Sequence, residues 1–588
     1  MGLIVTNIKR VFFFMLATNF VMSFVSDAEN NDTIRPLAAA SYQWLSSEKA
    51  IDNFVSTEVF ANRKQDKKLP SSLHDNGHLK ITAIDKTQKF KLIKDVYDAA
   101  SLSKTQVLVL PTIDFDFVRN GNYLIPNVRT VQRNDHPYWE WQISPGVVWQ
   151  QPEDNGFSRV VFPFSLQEKN ANCTHNGLLI LLINGKGKTN NGIFQIGSET
   201  CAYFQFDLAG RISVDYHKSS VENAKQLVAE FNRELSTKKI VHSRAQLIKD
   251  YPKLSLDSLL AKQLKGSTTS GLVINRQHYR LNCETRYGRY PYCDWLALPS
   301  YSTAKSIFAG IGLMRLQALV PNVEKVLVNK IIPECSTKQW QNVTLSDLLN
   351  MRTGNYLSND PHKDESSNRM IGFFTSETHK QKLDKACNMF PHRAKPGKSF
   401  RYHTSDTYLA GVMLNRLFAK VSDQKDLYKT LLAGELWPML KLSPLLGESK
   451  RTYDDELQPF TGWGLTYYAS DIIKIVEFLQ QQKSMNKRER LLDKKMLNSA
   501  MQNGQGNLNR DGGEANIAYN NGFWALEVGG DLGCNSPKWL PFMSGFGGIT
   551  VALISPDLLY YNFADNQRFL WLDVIIELNQ QFPLCEVL

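Results

Sequence analysis

The chain has 588 residues, 43% of them hydrophobic, which is enough for two or more domains with substantial cores. Its net charge of +11 is spread along the chain without a dense basic block, so the composition does not indicate a nucleic-acid partner. No C-x-x-C or H-E-x-x-H string occurs, and we expect neither a metal nor another cofactor; Cys173 and His175 form the tightest Cys/His pair.

The N-terminus has the pattern of a secretory signal. Lys9-Arg10 precedes a mostly apolar run from Val11 to Val25, and small residues stand at Ser26 and Ala28. We therefore expect a signal peptide over residues 1–28, with an uncleaved anchor as the alternative, and a periplasmic or secreted bacterial protein. No later run has membrane-spanning length.

All eight cysteines lie beyond that segment, and an even number in an exported chain favours disulfides. The simplest pairing joins neighbours along the chain: Cys173 with Cys201, Cys283 with Cys293, Cys335 with Cys387, and Cys534 with Cys585.

Two domains are predicted from the change in hydrophobic period. Residues 29–105 read as a polar lead-in with a helix or two, and 106–220 as a β-sandwich-like domain whose strands include Val107–Leu110. Residues 221–265 have helical spacing and form a connector. Residues 266–588 mix helices with strands, among them a strand over Gly271–Tyr279, and indicate an α+β domain: an antiparallel sheet flanked by helices, with a helical subdomain.

Three tryptophans in the β-domain, Trp139, Trp141 and Trp149, have two interpretations. They could form a face that stacks on carbohydrate, which would give the N-terminal domain a contact with glycans. The alternative is that they fill the domain core.

The string Ser302-Thr303-Ala304-Lys305 precedes an apolar run of helical length. Residues three apart share a helix face, so Lys305 should lie beside the Ser302 hydroxyl. A partly buried lysine with a lowered pKa can take the proton of a serine and make it a nucleophile. The string alone is weak evidence, because it recurs in polar segments of this chain.

Further motifs follow in order: Val343-Thr344-Leu345-Ser346-Asp347-Leu348-Leu349, then Pro396-Gly397 leading to Tyr402-His403-Thr404, then Gly462-Trp463-Gly464, and finally Ser544-Gly545-Phe546-Gly547-Gly548. Together they resemble the serine hydrolases related to class C β-lactamases and penicillin-binding proteins, most closely the branch of 6-aminohexanoate-dimer hydrolases and esterases. The resemblance covers about 300 of the 588 residues.

The resemblance implies roles for these residues. Ser302 would form the acyl-enzyme, and Lys305 and Tyr402 would transfer protons, with an ammonium near Tyr402 lowering the pKa of its phenol. The backbone N–H groups of Ser302 and Phe546 would bind the oxyanion. Ser544, Gly545 and Thr404 would contact substrate.

Neighbouring motif residues have other expected roles. Thr344 and Asp347 should only start a helix, and Asp406 should cap one or line the cleft. His403 is a weaker candidate base, since it adjoins Tyr402 and should point away from it.

Two positions depart from the family pattern. Thr404 stands where the usual amide of Tyr-x-Asn would be, and Met543 stands where a cation normally binds a substrate carboxylate. Both changes favour an ester or amide substrate without an essential carboxylate.

The leading interpretation is therefore an exported serine hydrolase acting on a small-molecule or cell-wall-derived ester or amide. The alternatives are a D,D-peptidase or β-lactamase, and a binding protein that keeps the fold without turnover.

Overall fold

A computed structural model describes residue 45 and residues 53–62, 73, 75–102, 106–184, 189–255, 266–486, 488–502 and 512–588. The predicted signal peptide, 1–28, lies outside the described residues. Within the described part of the chain, no helix combines the length and the apolar character needed to cross a membrane.

The N-terminal domain consists mainly of β-strands, as expected. Its strands are β1 (Asn76–Ala83), β2 (Lys89–Asp95), β3 (Ile113–Asn120), β4 (Tyr123–Pro126), β5 (Trp139–Ile143), β6 (Gly146–Trp149), β7 (Ser158–Glu168), β8 (Thr174–Ile183), β9 (Thr189–Thr200) and β10 (Phe204–Lys218).

These strands join in one hydrogen-bonded sheet that closes on itself. The order is β1-β3-β4-β6-β7-β8-β9-β10, and β10 pairs back with β1; β2 extends β10, and β5 extends β7. Alternate side chains such as Leu179 and Leu181 fill the interior of the ring. Leu178 and Ile180 point outward into the core of the C-terminal domain, which explains why β8 is apolar on both faces.

The N-terminal predictions need three corrections. The sheet forms a ring rather than two facing sheets. The sheet begins at β1 and β2, inside the predicted lead-in. The sequence did not reveal β1 because its few inward residues, such as Leu79 and Ile81, alternate with polar ones and give a weak signal. The predicted strand Val107–Leu110 is instead a 3₁₀ turn, Gln106–Leu108, whose Val107 packs into the ring.

The three tryptophans are core residues. Trp139, Trp141 and Trp149 are 1%, 5% and 3% exposed, so they do not form a surface that stacks on sugars. A glycan contact elsewhere on the N-terminal domain stays a prediction without support from these residues.

The C-terminal domain is built on an antiparallel sheet of order β13-β12-β22-β21-β20-β19-β18, with β11 added in parallel at the edge. Its strands, with two small ladders, are β11 (Val241–Ser243), β12 (Ser267–Ile274), β13 (Gln277–Asn282), β14 (Glu284–Thr285), β15 (Gly288–Arg289), β16 (Leu298–Pro299), β17 (Thr466–Tyr467), β18 (Ile517–Asn520), β19 (Phe523–Glu527), β20 (Trp539–Gly545), β21 (Ile549–Ser555) and β22 (Leu558–Ala564).

Two elements of this region differ from prediction. The strand predicted over Gly271–Tyr279 is a hairpin, β12 and β13, whose turn residues Asn275 and Arg276 have positive φ angles of 50° and 66°. The connector is only partly helical, because β11 joins the C-terminal sheet.

Helices cover both faces of this sheet, and the α+β class is confirmed. The helices of the described residues, in both domains, are α1 (Ala99–Leu102), α2 (Ala224–Ser236), α3 (Arg244–Asp250), α4 (Ile311–Leu319), α5 (Val328–Ile331), α6 (Leu345–Leu349), α7 (Asn368–Thr375), α8 (His379–Asn388), α9 (Thr404–Phe418), α10 (Trp437–Met439), α11 (Ala469–Ser484), α12 (Lys494–Ala500), α13 (Gly529–Leu532), α14 (Trp571–Gln581) and α15 (Leu584–Val587), with π-helical segments at Lys305–Gly310 and Tyr428–Leu436.

The side chains of β20–β22 alternate between two cores. Met543, Val551 and Tyr561 face the core that contains α4, α9 and α11. Phe542 and Ala552 face the core that contains α14. The sheet is therefore a middle layer, with the helical subdomain on one side.

The four predicted cysteine pairs are confirmed: Cys173–Cys201, Cys283–Cys293, Cys335–Cys387 and Cys534–Cys585. The first lies in the N-terminal domain and the other three in the C-terminal domain.

The packing around the π-helical turn can be tested at a glycine. Gly522 has φ +86°, and a Cβ there would overlap the carbonyl oxygen of Lys305. Gly522→Ala should lower the free energy of unfolding by about 2–5 kcal/mol, the sum of left-handed strain and overpacking. Gly121 is the control: its φ is +60°, but a Cβ would meet nothing within 4 Å. Gly121→Ala should cost about 1 kcal/mol.

Differential scanning calorimetry of both variants measures this difference. Equal losses in melting temperature would show that a Cβ at Gly522 causes no overpacking against Lys305.

Candidate active site

Ser302 lies at a tight turn between β16 and a helical segment. The preceding residue, Tyr301, has a φ of +40°, which is strained for a side chain of this size. The helical segment starts at Thr303, and the π-helical turn Lys305–Gly310 continues directly into α4. The helix predicted after Ser302 is thus present, with a π turn of the kind that is frequent at functional sites.

The spacing of Ser302 and Lys305 produces the predicted contact. The Nζ of Lys305 donates to Ser302 Oγ at 2.9 Å, to Thr404 Oγ1 at 2.8 Å and to the carbonyl oxygen of Gly462 at 3.2 Å. Lys305 is 1% exposed, whereas Ser302 is half-buried. Burial lowers the pKa of Lys305 to about 8, and the charge of Glu365 acts in the opposite direction.

Tyr402 adjoins both Lys305 and Ser302. The Nζ of Lys305 is 5.0 Å from the centroid of the Tyr402 ring, which stacks on Trp524 at 5.5 Å. The expected lowering of the Tyr402 pKa is not found. Burial raises that pKa well above its usual range and the charge of Glu365 raises it further, while a hydrogen bond with Ser302 acts in the opposite direction. Tyr402 is therefore a neutral phenol at neutral pH.

Glu365 is a member of this site that the sequence did not reveal. It lies on a 3₁₀ turn, Lys363–Ser366, and accepts from the backbone N–H of Thr404 at 2.8 Å and from the Thr404 hydroxyl. Thr404 thus links the Lys305 ammonium to a carboxylate. Burial raises the pKa of Glu365, and Lys305 opposes that shift. No motif surrounds Glu365, so the sequence contained no signal for it.

The last motif reaches the nucleophile turn from the end of β20. A Cβ at Gly545 would lie 3.0 Å from the carbonyl oxygen of Ser300, which is tighter than most Cβ contacts, so a glycine eases this approach. The Phe546 ring is 5.9 Å from the Tyr301 ring. Ser544 is half-buried opposite Thr550 on β21.

The structure thus brings the predicted residues Ser302, Lys305, Tyr402, Thr404, Gly545 and Phe546 to one place, with Ser544 adjoining. Their catalytic roles stay predictions.

His403 belongs to a separate buried cluster. Its ring stacks on Phe390 at 4.2 Å, with Nε2 3.4 Å from Asp364 Oδ2 and Nδ1 3.6 Å from Asp406 Oδ2. The two aspartates raise the pKa of His403 to about 9 despite its burial, so the imidazole is charged at neutral pH and cannot accept a proton from Ser302. Asp406 contacts His403 rather than capping α9.

The helix start predicted at Thr344 is confirmed. Thr344 and Asp347 form a reciprocal capping box at the beginning of α6, so both are structural.

The Cys173/His175 pair lies at the start of β8, in the N-terminal domain. Ligand atoms of Cys173, His175 and Cys201 lie within 4.8 Å of one another, but the two cysteines form a disulfide. Burial lowers the pKa of His175 to about 3, and its ring stacks on Phe206 at 4.1 Å.

Comparison with known proteins gives a fold-level likeness. No family model and no curated protein sequence matches the chain. A solved structure described as a 6-aminohexanoate-dimer hydrolase from Bacillus anthracis is 16% identical, with a TM-score of 0.42, over 56% of this chain and 81% of that one. EstCE1, a hydrolase with promiscuous acyltransferase activity, is 13% identical (TM-score 0.42, 55% and 98%). A class C β-lactamase is 12% identical (TM-score 0.39, 62% and 98%).

The His403 cluster makes a pH-dependent prediction for stability. The folded-state pKa of about 9 lies above the ordinary value of 6.5, so the protonated ring stabilises the fold fully below pH 6.5, and this contribution is lost as the pH rises through about 9. The shift corresponds to roughly 3 kcal/mol. The difference in unfolding free energy between the wild type and His403→Gln should therefore be largest at pH 6 and clearly smaller at pH 9.5.

Urea unfolding at both pH values measures that difference. Asp364, Asp406 and Glu365 are the charged groups that act on the ring. A difference that stays constant from pH 6 to 9.5 would contradict a charged His403.

Proposed function

We propose that this protein is a serine hydrolase that cleaves a neutral ester or amide through an acyl-enzyme on Ser302. The observation that carries the proposal is the 2.9 Å contact between Lys305 Nζ and Ser302 Oγ, in a buried setting that lowers the pKa of the amine to about 8. An ordinary lysine with a pKa near 10.4 would be almost wholly protonated at neutral pH. Here about a tenth is free amine at pH 7 and about half at pH 8, which supports Lys305 as the base.

In the first half-reaction, the free amine of Lys305 takes the Ser302 proton while Oγ bonds to the substrate carbonyl carbon. The carbonyl π electrons move to the oxygen, which becomes the oxyanion. The N–H groups of Ser302 and Phe546 are the proposed donors to that oxygen, supported by the approach of Gly545 to the nucleophile turn.

Collapse of the adduct breaks the bond to the leaving oxygen or nitrogen. That atom needs a proton, and Tyr402 is the proposed donor, since its raised pKa keeps the phenol protonated. The ammonium of Lys305 then returns a proton to Tyr402. A water molecule attacks the acyl-enzyme through the same groups, releases the acid and restores Ser302.

The lining favours a neutral acyl group. Met543, at the position of the family's cation, is fully buried in the core, and the ammonium of Lys305 is linked through Thr404 to the carboxylate of Glu365. Tyr402 packs among aromatic rings that include Trp524, and Phe546 packs on Tyr301. An anionic substrate would meet like charge, whereas an apolar ester or amide would meet aromatic surface.

The alternatives from the sequence remain distinguishable. A D,D-peptidase or β-lactamase would need another cation for the substrate carboxylate, and a binding protein would not need an activated serine. The four disulfides support export to the periplasm or the medium.

The first experiment is the intact mass of the purified protein after treatment with a fluorophosphonate and, separately, with a penicillin. We expect one fluorophosphonate adduct on the wild type, none on Ser302→Ala, and no penicillin adduct, because Met543 stands where the resembled enzymes have the cation that binds the carboxylate of the drug.

A penicillin adduct on Ser302 would favour the peptidase or β-lactamase alternative. The absence of any fluorophosphonate adduct on the folded wild type would favour the binding protein.

Glu365 should set the pH at which Lys305 becomes a base. Activity should rise with pH through about 8 as the amine loses its proton. Glu365→Gln keeps an acceptor for Thr404 but removes the negative charge that favours the ammonium, so the midpoint should move to lower pH. The pH dependence of kcat/KM on a neutral aryl ester measures this shift.

Asp360→Asn is the matched control. Asp360 is an exposed carboxylate on the same loop and should leave the midpoint unchanged. An unchanged midpoint in Glu365→Gln would show that Glu365 does not act on Lys305.

A further inference from the structure

The N-terminal domain contacts the C-terminal domain, which carries Ser302 and is called the catalytic domain below, through the loop between β7 and β8. Asn170, in this loop, donates to the carbonyl oxygens of Phe374 and Ser376, at 2.7 Å in each case. Two residues later, Asn172 enters the catalytic domain and is 1% exposed. The β7–β8 loop is therefore inserted into the neighbouring domain rather than lying on its surface.

The amide of Asn172 ends next to the nucleophile. Its Oδ1 accepts from the backbone N–H of Tyr301 at 2.7 Å, from the Ser300 hydroxyl at 3.1 Å and from the backbone N–H of Gly464 at 3.1 Å. One oxygen thus collects three donors from two separate segments of the catalytic domain. Buried N–H groups need such an acceptor, and here the other domain supplies it.

The most consequential of these donors is Tyr301. Its positive φ of 40° is strained for a tyrosine and persists only where the surroundings hold it. The hydrogen bond from Tyr301 N–H to Asn172 fixes the peptide immediately before Ser302. That peptide orients both the Ser302 side chain and the Ser302 N–H, the proposed nucleophile and one proposed oxyanion donor.

A second loop of the same domain reaches the other oxyanion donor. Ala202 lies beside Gly547, and the Tyr203 ring is 6.5 Å from the Phe546 ring. The disulfide Cys173–Cys201 joins this loop to the one that carries Asn172.

We propose that the N-terminal β-domain forms part of the catalytic unit, in which Asn172 is a positioning residue that holds Tyr301 and thereby aims Ser302. The inference rests on the proposed function, because it assumes that Ser302 reacts. The inference gives the N-terminal domain a role in the reaction itself. This role does not require the domain to bind a separate partner.

The chain offers a matched control for the test. Asn176, on β8, is also buried and also exchanges two hydrogen bonds across the domain boundary, with the backbone of Ala297 at 3.0 and 3.2 Å. Asn172→Ala and Asn176→Ala therefore each remove one buried interdomain amide. Only the first removes the acceptor of the Tyr301 N–H.

Steady-state kinetics on a neutral aryl ester and the rate of fluorophosphonate labelling compare these variants in the full-length protein. Asn172→Ala should lower kcat and the labelling rate by about 10- to 100-fold with KM nearly unchanged. A misoriented Ser302 hydroxyl weakens stabilisation of the transition state but leaves substrate binding intact. Asn176→Ala should keep both within about twofold. Asn172→Asp retains an acceptor oxygen and should recover part of the loss.

Hydrogen exchange of the peptide spanning 298–306 gives a readout that needs no activity. It should accelerate in Asn172→Ala and not in Asn176→Ala. If the wild type is labelled and Asn172→Ala is labelled equally fast, the positioning role is wrong while the proposed function stands. If the wild type is not labelled, both are wrong. Should Asn172→Ala fail to fold, Asn172→Leu, which is close in size and also lacks the acceptor, replaces it; wild-type kcat in that variant would overturn the inference.

Discussion

The structure around the site depends on keeping the ammonium of Lys305 out of water. Burying a cation is costly unless it is hydrogen-bonded, and three oxygens surround this one: those of Ser302, Thr404 and Gly462. The remaining imbalance appears as the lowered pKa of Lys305. The three hydrogen bonds make burial of the ammonium tolerable, and the lowered pKa lets the ammonium release its proton near neutral pH, as a general base requires.

The same constraint explains features that would otherwise look unrelated. The π-helical turn at Lys305–Gly310 is packed so closely by the β18–β19 turn that a side chain at Gly522 would overlap it. The strand end at Gly545 also approaches the nucleophile turn, where a Cβ would lie 3.0 Å from the carbonyl oxygen of Ser300. Backbone therefore approaches the segment that carries Ser302 and Lys305 closely from two sides, at Gly522 and at Gly545.

The sequence predicted what is local and missed what depends on tertiary contacts. Ser302 and Lys305 were found because their spacing on a helix places them together, and Tyr402 and Phe546 because ordered motifs contain them. Glu365 and Asn172 meet the site across 39 and 129 residues with no pattern around them. Closure of the N-terminal sheet was missed for the same reason: β1 and β10 pair across a long separation, and β1 has few apolar residues.

Two departures from the family pattern become related once the site is seen in three dimensions. Met543 removes a positive charge from the substrate side, and Thr404 provides a hydroxyl that accepts from Lys305 while donating to Glu365, which brings in a negative charge. Relative to the resembled pattern, the site lacks the positive charge at position 543, and it holds the carboxylate of Glu365 next to Thr404. The Thr404 hydroxyl therefore couples the Lys305 ammonium to the Glu365 carboxylate through a single atom. Both changes act against a carboxylate-bearing substrate, one by removing attraction and the other by adding repulsion.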